Sequence, residues 1–229
     1  MKKILALLVA IMMLAMTIPA MAEAPAAEQP LPAEFVPSIA AKPAPGLVEP
    51  AKFFHADGTT EEVASGDLVI TPLADIYDET KVKTIDPDTV ELLTWAYESL
   101  QEGEDVLAVK ADIEAVLEGT ELTFEDLVAR DLFEVSAYGN LAKWLEEEEG
   151  SYVEFILDAI FSENQTAVVL YADHAEEPVW QVLPAPETWW LTEAVEEICN
   201  VGMKTGDLGV FAFLVVADET APAVTSPAN

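Results

Sequence analysis

Apolar and polar positions divide the chain into alternating strand-like runs around a helical middle. In Thr166–Pro184, TAVVLYADHAEEPVWQVLP, two apolar runs flank a polar turn, which predicts a β-hairpin anchored by Trp180. Leu127–Tyr138 alternates, with Phe133, Val135 and Ala137 on one face and Glu134, Ser136 and Tyr138 on the other. That period predicts a half-exposed strand. Tyr152–Leu157 alternates too, with Val153, Phe155 and Leu157 inward. Val210–Val216 is apolar without a break, the pattern of a central strand covered on both faces. Nearer the N-terminus, Lys52–His55 and Glu61–Val63 flank Ala56-Asp57-Gly58-Thr59, and Asp-Gly between such runs signals a hairpin. Leu68-Val69-Ile70-Thr71 predicts a buried strand ending at Pro72.

The period changes to helical over about 86–118. Asp86-Pro87 supplies a cap and a first-turn proline. Val90, Leu93, Tyr97 and Leu100 then recur at helical spacing, widened by Leu92 and Ala96, up to Gly103. A second helix is expected from Asp105, with a stripe of Val106, Val109, Ile113, Val116 and Leu117, ending at Gly119. Leu141, Trp144 and Leu145 predict a short helical turn that runs into Glu146–Glu149 as a solvated face. After Pro184-Ala185-Pro186, Trp189 and Trp190 fall in a predicted loop. Leu191–Cys199 fits either period, and Thr192 followed by Glu193 and Glu196 favours a short helix.

The termini change the picture of where the chain works. Lys2 and Lys3 precede an apolar run, Ile4–Met16, and Ala20-Met21-Ala22 presents small residues at the two positions a signal peptidase reads. The expectation is a secreted protein with a signal peptide over 1–22, cleaved after Ala22, and no membrane insertion afterwards. Residues 23–33 read as a flexible lead-in. Residues 34–122 hold the N-terminal strands plus two helices, 123–217 a β-sandwich module, and 218–229 a mobile tail.

Charge excludes some partners. The chain carries 43 Asp and Glu against 10 Lys and Arg, a formal net charge of −33, and loss of Lys2 and Lys3 makes it two units more negative. A field of that sign repels nucleic acid phosphates and anionic membranes. The acidity sits on a background that is 52% hydrophobic, with a mean hydropathy of +0.25, so the chain can bury a core and carry its carboxylates outside. Cys199 is the single cysteine, so no intrachain disulfide forms.

Candidate chemistry is sparse. His55 and His174 each lie in or beside a predicted hairpin turn and read as exposed turn residues. No nucleophile elbow accompanies either, as a Ser-His-Asp site would require. No Asp-x-Asp-x-Asp-Gly loop is present, so no metal ligands and no cofactor are assigned, although abundant carboxylates leave a calcium-stabilised structural domain as an alternative. A carboxylate-dependent secreted hydrolase is the second alternative and predicts a cleft with two converging acids. Trp95, Trp144 and Trp180 read as core. Trp189 and Trp190 are the candidate binding residues, because aromatics on a loop can stack on a glycan or anchor a partner protein.

The order ARDLFEVSAYG, YVEFILD, AVVLYADHAEEPVWQVLP, LGVFAFLVV resembles a module of secreted and surface proteins of Gram-positive gut anaerobes. There a strand of the form RDLF(D/E)VS precedes a hairpin with one tryptophan before Leu-Pro. A closing strand ends in Phe-Ala-Phe or similar. EFVPSIAAKPAPGLV and DLVITPLADI are similar to the leading segments of such proteins, so the resemblance covers most of residues 34–217. It implies an immunoglobulin-like β-sandwich in the C-terminal half and no activity. The matching residues, Phe133, Val153, Phe155, Trp180, Phe211 and Phe213, are core types. Between Trp189 and Lys204 the chain departs from the pattern, which has a strand there. The expected fold is therefore α+β and mainly β, an immunoglobulin-like antiparallel β-sandwich with a helical segment. The expected role is a non-enzymatic acidic binding or structural module at the cell exterior, with an unknown protein or glycan as partner.

Overall fold

A computed structural model describes residues 45–162, 167–183, 188–193 and 198–216. The signal and lead-in segments, the Pro184-Ala185-Pro186 break and the C-terminal tail lie outside the described residues. The chain forms two antiparallel five-stranded sheets with helices packed on one of them. Among the described residues no helix is long and apolar enough to cross a membrane.

The first sheet is built from β1 (Lys52–Phe54), β2 (Thr60–Glu62), β5 (Tyr152–Ser162), β8 (Thr188–Glu193) and β9 (Ile198–Thr205), in the order β2-β1-β5-β9-β8. The second holds β3 (Leu68–Pro72), β4 (Leu127–Ala137), β6 (Ala167–Asp173), β7 (Gln181–Leu183) and β10 (Gly209–Val216), in the order β3-β4-β10-β6-β7. Strands on either side of residue 122 pair within the same sheets: β1 with β5, and β3 with β4. Upstream of β1, Leu47 bridges to Leu157, and the Val48 N–H donates to the Ile156 carbonyl at 2.9 Å.

The helical layer consists of α1 (Leu73–Ile76), α2 (Pro87–Glu102), α3 (Glu104–Ala108) and α4 (Lys110–Val116), with α5 (Gly139–Glu147) between β4 and β5. Asp86 caps α2 as its sequence predicts, its carboxylate accepting from the Asp88 N–H at 2.9 Å. Gly103 ends α2 at φ +77, a left-handed conformation that costs glycine little. The expected second helix is broken at Val109 into α3 and α4. Its stripe buries Val106, Ile113 and Leu117 but leaves Val116 exposed.

Alternation sorts the second sheet into two cores. On β10, Phe211, Phe213 and Val215 face the first sheet, while Val210, Ala212 and Leu214 face the helices. On β6, Val169 and Tyr171 face the first sheet, and Val168, Leu170 and Ala172 the helices. Strand β4 keeps this division across a register shift opposite Phe213 and Leu214, where Asp131 and Ala129 are the successive partners. Arg130 is thus an extra residue, and such a bulge reverses which parity points inward. Leu127 and Ala129 precede it on the helical side, Leu132 follows it there, and Phe133 and Val135 enter the inter-sheet core.

The inter-sheet core is aromatic: Phe133 meets Phe213 edge-on at 5.0 Å, and Phe155 meets Phe211 edge-on at 6.5 Å across the sheets. Fully burying each such ring contributes about 1.5–3 kcal/mol. Strand β10, with β4 on one side and β6 on the other, is the central covered strand that its unbroken apolarity predicts. The half-exposed reading of β4 is corrected. Both its faces are covered, and Glu134, expected outside, has 0% exposure.

The two predicted hairpins are present. Strands β1 and β2 pair through a connection of residues 55–59. Strands β6 and β7 pair with Val169 opposite Leu183 and Tyr171 opposite Gln181.

Candidate functional site

The candidate tryptophans are not in a loop. Trp189 and Trp190 lie in β8, the edge strand of the first sheet, with Trp189 opposite Gly202 and Trp190 opposite Val201. Leu191–Glu193 continue that strand, and Ile198–Cys199 begin β9, so the helix expected over 191–199 is corrected to strand at these positions. Trp-Trp-Leu is apolar under either period, and Thr192 with Glu196 imitates a helix start; ladder pairing to β9 decides the matter. A platform pushed outward by prolines is therefore not what the backbone builds.

His174 lies exposed just after β6, as expected, although it takes a buried partner, whereas His55 is not an exposed turn residue. The His55 side chain is only 12% exposed. Its Nδ1 lies 2.9 Å from both Glu148 carboxylate oxygens, and its ring packs against Phe53 and Trp144. Glu148, expected on a solvated face, thus fastens the end of α5 to the first hairpin.

His174 follows β6 and places Nε2 3.0 Å from Glu134 Oε1. The Ser136 hydroxyl donates to the same carboxylate at 2.5 Å. The hydrogen bond from His174 to Glu134 raises the imidazole pKa, and Glu134, Asp88 and Asp173 add to it through their charge. In a hydrolytic triad the imidazole stands between acid and hydroxyl. Here the carboxylate stands between, so His174 cannot take a proton from Ser136. The imidazole and the Ser136 hydroxyl both serve the buried Glu134 carboxylate.

A cavity of about 340 Å³ opens where the ends of the two sheets meet. It falls within the roughly 300–1,000 Å³ of small-molecule sites. Four strands and one turn supply it: Tyr152 begins β5, Tyr171 comes from β6, Gln181–Leu183 are β7, and Lys204–Asp207 run from β9 into the turn before β10. Alternation sends Tyr171 inward beside Phe211, with ring centroids 5.2 Å apart. Tyr171 is 7% exposed, and its hydroxyl is buried without a hydrogen-bond partner among the described residues. Burial pushes the phenol pKa well up, and the nearby Asp207 and Asp173 charges push it further, so the hydroxyl keeps its proton.

Opposite Tyr171, the Lys204 ammonium sits 3.9 Å above the Tyr152 ring, whose other neighbour is Phe54, stacked at 4.7 Å. Asp207 is the single carboxylate among the described residues of the lining, where the hydrolase reading requires two. The Thr205 hydroxyl fixes the turn, donating to the Asp207 carbonyl at 2.5 Å and accepting from the Asp207 N–H at 3.1 Å. Among the described residues, no group of three or more His, Cys, Asp or Glu side chains converges as a metal site would.

Periodicity alone misses this cavity, because its residues are scattered from 152 to 207 and each is unremarkable locally. One signal was present: Lys204 is the only lysine or arginine after Lys143. Compared with models of protein families, with curated proteins and with solved structures, the chain matches none.

Proposed function

We propose that the chain is a secreted, non-enzymatic acidic binding module acting at the cell exterior, and that the cavity between the sheet ends is its working site. The observation that carries the reading is the Tyr171 hydroxyl, buried at that cavity with no partner. Buried polar groups in folded proteins are nearly always hydrogen-bonded. Leaving one unpaired costs about 1–3 kcal/mol, which a ligand supplying the partner recovers. The basic N-terminus, apolar run and Ala-Met-Ala site support secretion. The carboxylate placed between Ser136 and His174, and the single acid of the cavity, favour binding over hydrolysis. We read the two-sheet body more finely as immunoglobulin-like. Antiparallel pairing throughout and an aromatic core between the sheets support that.

The test is a thermal-shift screen of the secreted chain against small metabolites, short peptides and oligosaccharides, repeated with Tyr171→Phe. Compounds that raise the melting temperature of the wild-type chain lose most of that effect in the variant. A screen in which nothing stabilises the wild type, or in which every hit is indifferent to Tyr171→Phe, overturns the reading.

A further inference from the structure

We infer that the cavity takes a small zwitterion of the α-amino acid class, its carboxylate held by Lys204 and its ammonium by Asp207 and the Tyr171 hydroxyl oxygen. The inference rests on the cavity being the working site. Its own ground is the arrangement of charge. Lys204 and Asp207 line one cavity, yet they pair neither with each other nor, through an ion pair, with any other described residue. Lys52, Lys81, Lys110 and Lys143 each have a carboxylate within ion-pair distance, and Lys83, which has none among the described residues, is exposed to solvent rather than set in a cavity.

Lys204 is held over Tyr152, and Thr205 fixes the Asp207 backbone, so the ammonium and the turn that carries the carboxylate are placed before a ligand arrives. The Tyr171 hydroxyl lies on the anionic side, within the field of Asp207 and Asp173, where its oxygen accepts from the ligand's ammonium.

Net charge selects among ligands that would meet these groups. A simple anion approaches a chain of formal charge −33 against its field. A simple cation meets Lys204 in the cavity, and a neutral sugar leaves both charges unpaired. A zwitterion carries no net charge and satisfies both. Val182 and Leu183 in the lining give an aliphatic or aromatic side chain an apolar surface, while Gln181 offers a further polar contact. The ligand class is thus a free amino acid, or the same pair of charges on a very short peptide.

The experiment is calorimetric titration of the secreted chain with glycine, L-leucine, L-phenylalanine, N-acetyl-L-leucine, L-leucinamide and dileucine. At least one free amino acid or the dipeptide binds. Masking either charge of leucine weakens binding about tenfold or more, the equivalent of roughly 1.4 kcal/mol. Lys204→Met abolishes the difference between leucine and leucinamide. Asp207→Asn abolishes that between leucine and N-acetyl-leucine. Both positions are at least partly exposed, and melting curves confirm that the variants fold. Equal binding of masked and unmasked forms overturns the inference, as does failure of all the unmasked zwitterions. If a different compound then binds in a Tyr171-dependent manner, the cavity stands and the zwitterion falls. If none does, both fall.

Discussion

The Trp180 indole Nε1 donates to the Ser99 hydroxyl at 2.6 Å, joining groups 81 residues apart. Trp180, 3% exposed, precedes β7 and packs at a tilt against Trp95 of α2, ring centroids 5.3 Å apart, so the hairpin anchor lies in the helical core. Ser99→Ala leaves a buried N–H unpaired and lowers unfolding free energy by about 1–3 kcal/mol. Trp180→Phe removes the donor and some packing. Because both changes break one bond, the double variant loses less than the sum of the singles. Urea unfolding of the three variants measures this, and strict additivity would show that the bond contributes nothing of its own.

A second link sets the start of α5. The Asp67 carboxylate accepts from the Asn140 N–H at 3.0 Å, and the Asp67 carbonyl from the Tyr138 N–H at 2.7 Å. Gly139 lies between at φ +56, and a Cβ there would stand 2.5 Å from Asp67 Oδ1. Gly139→Ala adds about 1–2 kcal/mol of left-handed strain and displaces the cap. Asp67→Ala removes the cap alone, at about 1 kcal/mol. The expected order of urea midpoints is wild type, then Asp67→Ala, then Gly139→Ala. A Gly139→Ala chain as stable as wild type would mean that the turn and helix shift apart freely.

What the sequence made legible follows from local physics. The Asp86 cap, the Gly103 stop, the inward set Val153, Phe155 and Leu157, and the covered β10 all depend on periods and caps within one element. Glu134 falls on the face its period predicts but is buried there, because the packing of a third layer over that face lies outside any single period. Strand β8 was missed because its residues fit two periods equally, and only pairing with β9 separates them. The cavity needs four strands brought to one end, which no local signal encodes.

The Glu134–His174 pair gives stability a pH dependence whose sign is fixed. Hydrogen bonding to Glu134 raises the folded imidazole pKa above its ordinary 6.5. The folded chain therefore binds this proton more tightly than the unfolded chain. The contribution is complete below 6.5 and is lost as pH rises through the higher folded value. Melting temperatures of wild type and His174→Gln, scanned over roughly pH 5 to 9, isolate it. The difference between the two is largest at the acid end and shrinks with rising pH. Glu134→Gln abolishes the trend, whereas a difference that grows with pH would show the imidazole to be held neutral.

Tyr171 separates stability from binding. In the inter-sheet core its ring contributes as phenylalanine would, packing on Phe211 at 5.2 Å, while its hydroxyl is buried without a partner. Removing that oxygen removes an unpaired polar group, so Tyr171→Phe leaves the free protein as stable as before or more stable by about 1 kcal/mol. A hydroxyl kept for packing alone has no reason to be there. One kept for a ligand costs the empty protein stability and returns it on binding. The variant is therefore expected to unfold at equal or higher urea in the absence of ligand and to bind any cavity ligand less tightly. Urea midpoints and titration of the same preparations test both halves together. A destabilised variant with unchanged binding would place the hydroxyl in the fold and outside the site.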